Sequence, residues 1–420
     1  SDQLAAMTTA QIAGLDSADV EALTSSALTG LRSDQLSALT SEAFTGMNTA
    51  DLSALTSSAL AGLTTDQVNT LNTSEIQALG TDIANLNTAA MQTLTSDQLG
   101  AMTTAQIAGL ESADIGALTP AAVIGLSSEQ IAALSSSAFS ALSTDDLDAL
   151  TSAALAGMNA AQVGTLNSAE LQALGTDIAN LNTAALYALT SAQLAALTTD
   201  QIAGLDSVDV AALTPAALVG LSSEQLAALS SSAFEGMSTD DLGALTSEAL
   251  SSLTSDQAHT LDSSEIQALG TDIANLNNAA MQMLTSEQLA AMTTAQIAGL
   301  DSADVVALTS SAFTGLHSDQ LSALTSSAFT GMNTADLSAL TSEALAGLTS
   351  DQVSTLIPAE IRALGTDIAN ANTAALQALT SSQLAAMTTA QIAGLDSSDV
   401  DALTSSALTG LRSDQLSALT

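Results

Sequence analysis

The sequence contains no cysteine, no tryptophan and no lysine. Three arginines, two histidines, one tyrosine and three prolines are spread over 420 residues. Without cysteine there are no disulfides, no thiolate metal sites and no cysteine nucleophile. Three cations stand against 44 acidic residues, a formal net charge of −41. That balance leaves no basic footprint for a nucleic acid and disfavours binding to an anionic membrane surface. No apolar run approaches the roughly 18–20 residues of a membrane span.

What is present is repetition. Leu, Ile, Val and Ala recur at regular spacing, which argues for a buried core and against disorder. The stretch GTDIAN begins at Gly80, Gly175, Gly270 and Gly365, in steps of 95 residues. Length alone suggests two or three globular domains. The repeats replace that expectation with one continuous array over 1–420: long repeats 1–95, 96–190, 191–285 and 286–380, and a partial fifth at 381–420. The sequence starts inside one short unit and stops at the start of another, so we expect a window on a longer chain or filament.

Inside each long repeat lies a unit of eight residues, read from Thr8 as TTAQIAGL, DSADVEAL, TSSALTGL and so on. Eleven such octads and one seven-residue unit, GTDIANL, fill the 95 residues. Position 5 is apolar throughout, and position 8 is Leu or Met except at Ala371. A strand would send positions 5 and 8 to opposite faces. One continuous helix would let the apolar stripe slip by roughly 80° per unit. A short helix in every octad places both positions on one face.

The remaining positions agree. Position 1 is usually Thr, Ser, Asn or Asp, the N-cap residues. Thr8 with Gln11 has the spacing of a capping box. Pro120, Pro215 and Pro358 all occupy position 2, the first helical residue, where proline's missing amide costs nothing. Acids crowd positions 1, 3 and 4, where the helix dipole favours them. Position 7 is usually Ala or Gly, which should help the chain leave the helix and let adjacent turns approach closely. Helices this short are not stable alone. The expected fold is therefore an all-α solenoid, a superhelical rod of very short helices, one per octad, with the heptad correcting the phase once per 95 residues.

Few residues stand out as candidate sites. His259 and His317 occupy positions that vary between long repeats, as does Arg362 where Gln77, Gln172 and Gln267 stand. We read all three as drift on a solvated face. Asp145, Asp146 and Asp148, with Asp240 and Asp241 one long repeat later, are the candidates for Ca²⁺. Calcium needs six to eight converging oxygens, and the bland reading is first-turn acids that cap helices. Gly80, Asp82 and Asn85 recur as Gly175, Asp177, Asn180, as Gly270, Asp272, Asn275 and as Gly365, Asp367, Asn370. They read as a structural corner, with a partner contact as the alternative. Phe44, Phe139, Phe234 and Phe329 fall 95 apart at position 5. They read as core filler, with a staple between neighbouring rods as the alternative.

The units TTAQIAGL and SSEQIAAL resemble the short Thr/Gln/Leu repeats of very large secreted bacterial proteins called adhesin-like, or haem-utilisation or adhesion proteins. The resemblance covers the whole chain and implies an extracellular or cell-surface location. It offers no site motif, so no functional residue is carried over. The expectation is a non-enzymatic structural protein without a cofactor. It would form an extracellular fibre, or the stalk of a giant surface adhesin, by self-association end to end or side by side, with cell-surface or matrix components as further partners. The alternative is an acidic cation-binding scaffold or S-layer-like component, with Ca²⁺ as its ligand.

Overall fold

A computed structural model describes residues 1–419, and every element among them is a helix of four to six residues. The described chain divides into two units, Ser1–Leu205 and Asp206–Thr420. Each is a repeat solenoid of the kind the octads predict.

Each octad closes its own first turn. Thr8 Oγ1 accepts the amide of Gln11, and Gln11 Oε1 accepts the amide of Thr8 at 2.8 Å. Two of the amides a helix start leaves unbonded are thereby satisfied. The prolines begin the helices Pro120–Val123, Pro215–Leu218 and Pro358–Ala363. Positions 5 and 8 form the core: Ile131 and Leu134, Leu147 and Leu150, Leu171 and Leu174 are all buried.

The exit from the helix differs from expectation. No position-7 glycine is left-handed; positive φ among the described residues occurs only at Gly80, Gly175, Gly270 and Gly365. The chain leaves through an extended position 8 instead, as at Leu134 (φ −64°, ψ 134°) and Leu150 (φ −63°, ψ 140°). Apolar position 8 thus serves as both core residue and turn.

The glycines at position 7 serve the stacking. Within each unit a helix packs on the third helix along the chain, as Thr104–Ala108 does on Ser128–Ala133, and Ser128–Ala133 on Ser152–Leu155. A Cβ on Gly157 would lie 1.9 Å from the carbonyl oxygen of Ser128; on Gly62 it would lie 2.0 Å from that of Ser33. Backbone meets backbone there, and no side chain fits. Other glycines, such as Gly109, would hold a Cβ no closer than 3.4 Å to anything.

The heptads form 3₁₀ helices, Gly80–Asn85, Gly175–Asn180, Gly270–Asn275 and Gly365–Asn370. Their glycines have φ of 54–61°, a region that costs other residues about 1–2 kcal/mol. One octad also departs from the expected α-helix: Ala312–Gly315 is 3₁₀. There Phe313 fills the slot that holds Leu28, Val123 and Leu218 in the other long repeats.

These contacts predict opposite outcomes for one substitution at two glycines. Gly157→Ala should lower stability by about 1–3 kcal/mol through overpacking, whereas Gly109→Ala should be neutral or stabilise by up to ~1 kcal/mol. Urea midpoints of the two variants check this.

Candidate functional site: the hydrogen bonds between turns

The side chains with the most structured chemistry are glutamines at position 4. Gln162 is fully buried. Its Oε1 accepts the amide of its own cap residue Asn159 at 2.9 Å. Its Nε2 donates to the carbonyls of Ile131 (2.7 Å) and Leu134 (2.9 Å), 31 and 28 residues earlier. Gln67 does the same to Leu36 and Leu39, and Gln98 to Val68 and Leu71. Within the second unit Gln257, Gln288 and Gln352 repeat the arrangement. A second series, Gln106, Gln201, Gln296 and Gln391, reaches the heptads, with Gln106 donating to Ile76 and Gly80. A buried amide with both ends satisfied is worth keeping, because either orphaned end costs about 1–3 kcal/mol. The sequence reading found the capping half of this role in Gln11 but missed the other half. The available signal was spacing: Gln35, Gln67, Gln98, Gln130, Gln162 and Gln193 recur at every fourth unit.

The heptad corner is tied in from both sides. Ser57 donates to Asp82 Oδ1 at 2.9 Å, and Asn85 Nδ2 donates to the carbonyl of Asp82 at 3.1 Å. Ser152 with Asp177, Ser247 with Asp272, and Ser342 with Asp367 repeat the first bond at 2.9 Å. Asn180, Asn275 and Asn370 repeat the second. Asn87, just after the corner, donates to Ala61 and Leu63 of the preceding turn.

The calcium candidates do not converge. Asp146 is 4% exposed, and its Oδ2 accepts the amide and hydroxyl of Ser143 (2.9 and 2.6 Å). Asp241 is held identically by Ser238. Asp145, Asp148 and Asp240 are exposed on the outside. Among the described residues no group of three or more His, Asp or Glu side chains could hold a metal ion. Asp146 Oδ1 is buried without a partner, and the reason is local. The equivalent Asp51 and Asp336 receive serine hydroxyls from Ser25 (2.7 Å) and Ser310 (2.6 Å). Pro120 stands at that position before Asp146 and has no hydroxyl to give.

Phe44, Phe139, Phe234 and Phe329 are all at most 2% exposed, as is Phe313. Their rings lie inside the solenoid and do not reach its surface. His259 is exposed, and His317 places Nδ1 2.9 Å from the carbonyl oxygen of Gly315. Arg32 and Arg412 occupy cap positions without capping. Each pairs instead with the aspartate two residues on (3.0 and 3.2 Å) and donates to a carbonyl of the preceding turn, Ala5 or Ala385. The guanidinium hydrogen bond holds Asp34 and Asp414 below the ordinary carboxylate range.

One acid pair recurs with the opposite shift. Asp301 and Asp304 share a capping box, Asp301 accepting the amide of Asp304 at 3.0 Å and Asp304 that of Asp301 at 2.8 Å. Partial burial pushes the Asp304 carboxyl up, and the neighbouring Asp301 charge adds to this. Asp114 and Asp209, 95 residues apart, are raised for the same reasons.

The ALTTAQ repeat family matches at 12–49, 44–81, 81–110, 107–144, 139–176, 176–207, 202–239 and 329–366, which together exceed half of the chain. The chain belongs to the ALTTAQ repeat family. From 12 to 202 the family matches begin on average about one turn of the glutamine ladder apart. A search of curated proteins finds no match. Among solved structures, a leucine-rich repeat-containing protein from Legionella pneumophila matches 59% of this chain and 80% of its own, at 16% identity. Its TM-score is 0.14, and a likeness at that level carries no argument.

Two predictions follow from the buried polar groups. Gln162→Ala should cost about 2–4 kcal/mol, because it orphans the Asn159 amide and the Leu134 carbonyl. Gln172→Ala, which loses one exposed bond to Ala196 at 2.7 Å, should cost under ~1 kcal/mol. Denaturant titration of the two variants compares them. Because the folded value of Asp304 is raised above 3.8, the folded state binds that proton more tightly than the unfolded chain. The stabilisation is present below the ordinary value and is lost as pH rises through the raised one. Asp304→Asn should therefore raise the melting midpoint at neutral pH and leave it unchanged in acid, as a pH series of thermal melts will show.

Proposed function

We propose that this repeat protein is a non-enzymatic structural element of an extracellular fibre, or of the stalk of a giant bacterial surface adhesin. One observation carries the reading. The buried glutamine ladder runs through each unit, so that turn after turn is tied to the next by the same pair of bonds. A repeat whose ends are satisfied only by another repeat extends a chain by addition, which is what a fibre or stalk requires. The polar residues outside the core cap helices or link turns, so the repetition itself accounts for most of the chemistry on the chain.

The acidic coat suits this role. A uniform negative surface keeps the protein soluble and opposes lateral clumping until salt screens it. With no lysine and only three arginines, trypsin-like proteases find few cleavage points, an advantage outside the cell. Self-association of such elements would be end to end, continuing the ladder, or side by side once the charge is screened.

Immuno-electron microscopy of the source cells tests the proposal. Labelled filaments or stalks at the cell surface are expected. Label confined to the cytosol, on particles no longer than one chain, would refute it.

A further inference from the structure

Arg32, His317 and Arg412 occupy one position of the 95-residue repeat. At Arg32 and Arg412 the guanidinium fills a corner between turns. It donates to the carbonyl of Ala5 or Ala385 and pairs with Asp34 or Asp414. Arg412 also reaches the carbonyl of Met387 at 3.4 Å. The corner at His317 has the same backbone: Ala290 corresponds to Ala5 and Ala385, Met292 to Met387, and Asp319 to Asp34 and Asp414. The shorter imidazole turns back onto the helix end just before it, with Nδ1 at the carbonyl of Gly315. What remains is an open groove of about 410 Å³, lined among others by Glu287, Ala290, Gly315, His317 and Glu343. The next groove along, about 480 Å³, is lined by Asp319, Gly347, Thr349 and Asn372.

We propose that the groove at His317 docks the guanidinium of an arginine-bearing peptide partner. The chain itself shows what this corner takes, because it supplies an arginine there twice. The His317 corner keeps the acceptor carbonyl of Ala290, which it shares with Gln320 Nε2 at 3.1 Å, while Asp319 lines the neighbouring groove. The acids of the His317 groove are Glu287, where the Arg32 corner has Asp2, and Glu343, where it has Ser58. A planar fork of N–H donors matches a carboxylate and adjacent carbonyls together, which a lysine ammonium does as a point charge only. The neighbouring groove at Thr349 gives a second arginine of the same peptide a place one turn away, and linked contacts reinforce each other.

The test is calorimetric titration of the whole chain with the peptide acetyl-Gly-Arg-Gly-Arg-Gly-amide, at fixed moderate salt. Its lysine analogue and the variants His317→Arg and Glu287→Gln/Glu343→Gln complete the set. His317→Arg installs the side chain found naturally at two of the four equivalent corners, the others carrying Ser127 and Ser222, and an unchanged melting midpoint confirms that it folds. The arginine peptide should bind, and the lysine peptide more weakly. His317→Arg should weaken arginine-peptide binding by about tenfold or more, and the double glutamine variant by severalfold. Equal binding of both peptides, or undiminished binding to His317→Arg, would show only attraction to a polyanion and overturn the proposal. So would the absence of binding to the wild-type chain.

Discussion

The structure depends on a primary amide that works in two directions. A helix of four to six residues leaves at least as many backbone groups unbonded at its ends as it bonds within. The position-4 glutamine closes both kinds of end at once. Its oxygen accepts the amide at the start of its own helix, and its nitrogen donates to carbonyls at the end of a helix four units back, as Gln162 does to Ile131 and Leu134. In an isolated octad the helix start is capped but the Nε2 donor and the carbonyls at the helix end lack their partners. Local capping and long-range stacking are therefore one event, and the buried amide sets which turn lies on which.

The heptad shows how tightly that register is held. Where four octads intervene, the glutamine reaches back 31 and 28 residues, as at Gln67. Where one of the four units is GTDIANL, Gln98 reaches back 30 and 27 residues, and its bonds stay at 2.9 and 2.8 Å. The heptad thus removes one residue from a turn without disturbing the ladder. It does so by giving up the α-helix for 3₁₀ geometry and by placing Gly80 in the left-handed region. The carbonyl of Gly80 is then taken up by Gln106. A phase correction that a uniform octad could not make is concentrated in one unit, where glycine, aspartate and asparagine each have a backbone reason to be present.

Much of this was legible before the structure. Helix starts were, because cap residues, capping boxes and prolines obey rules of three or four residues' range. The core at positions 5 and 8 followed from helical phase. Pairings between turns were not legible, because their partners lie 24–31 residues away and local spacing does not name them. Gln162 shares the capping-box position of Gln11, and Ser25 is a first helical residue, but no local rule names Ile131 or Asp51 as their partners. Glycine at position 7 was assigned two roles, and only close approach is seen, since no such glycine is left-handed. The calcium candidates illustrate the limit from the other side. Asp145, Asp146 and Asp148 are close in sequence, but helical phase buries Asp146 against its cap and turns the other two outward.

The charge imbalance follows from the same geometry. A helix start occurs about every eight residues, and each recruits oxygen acceptors at its cap and first turn, which carboxylates supply and the dipole favours. Basic residues stand in a last turn at only two places among the described residues, His259 and Arg362, both at position 6. A cation at position 1 cannot cap, and it forfeits a hydrogen bond that threonine or serine would make. Arginine overcomes that loss at Arg32 and Arg412 because its stem is long enough to donate to a carbonyl of the previous turn while pairing with the next aspartate. The ammonium of lysine offers no such fork. Much of the −41 charge thus sits at the caps and first turns that so many short helices require.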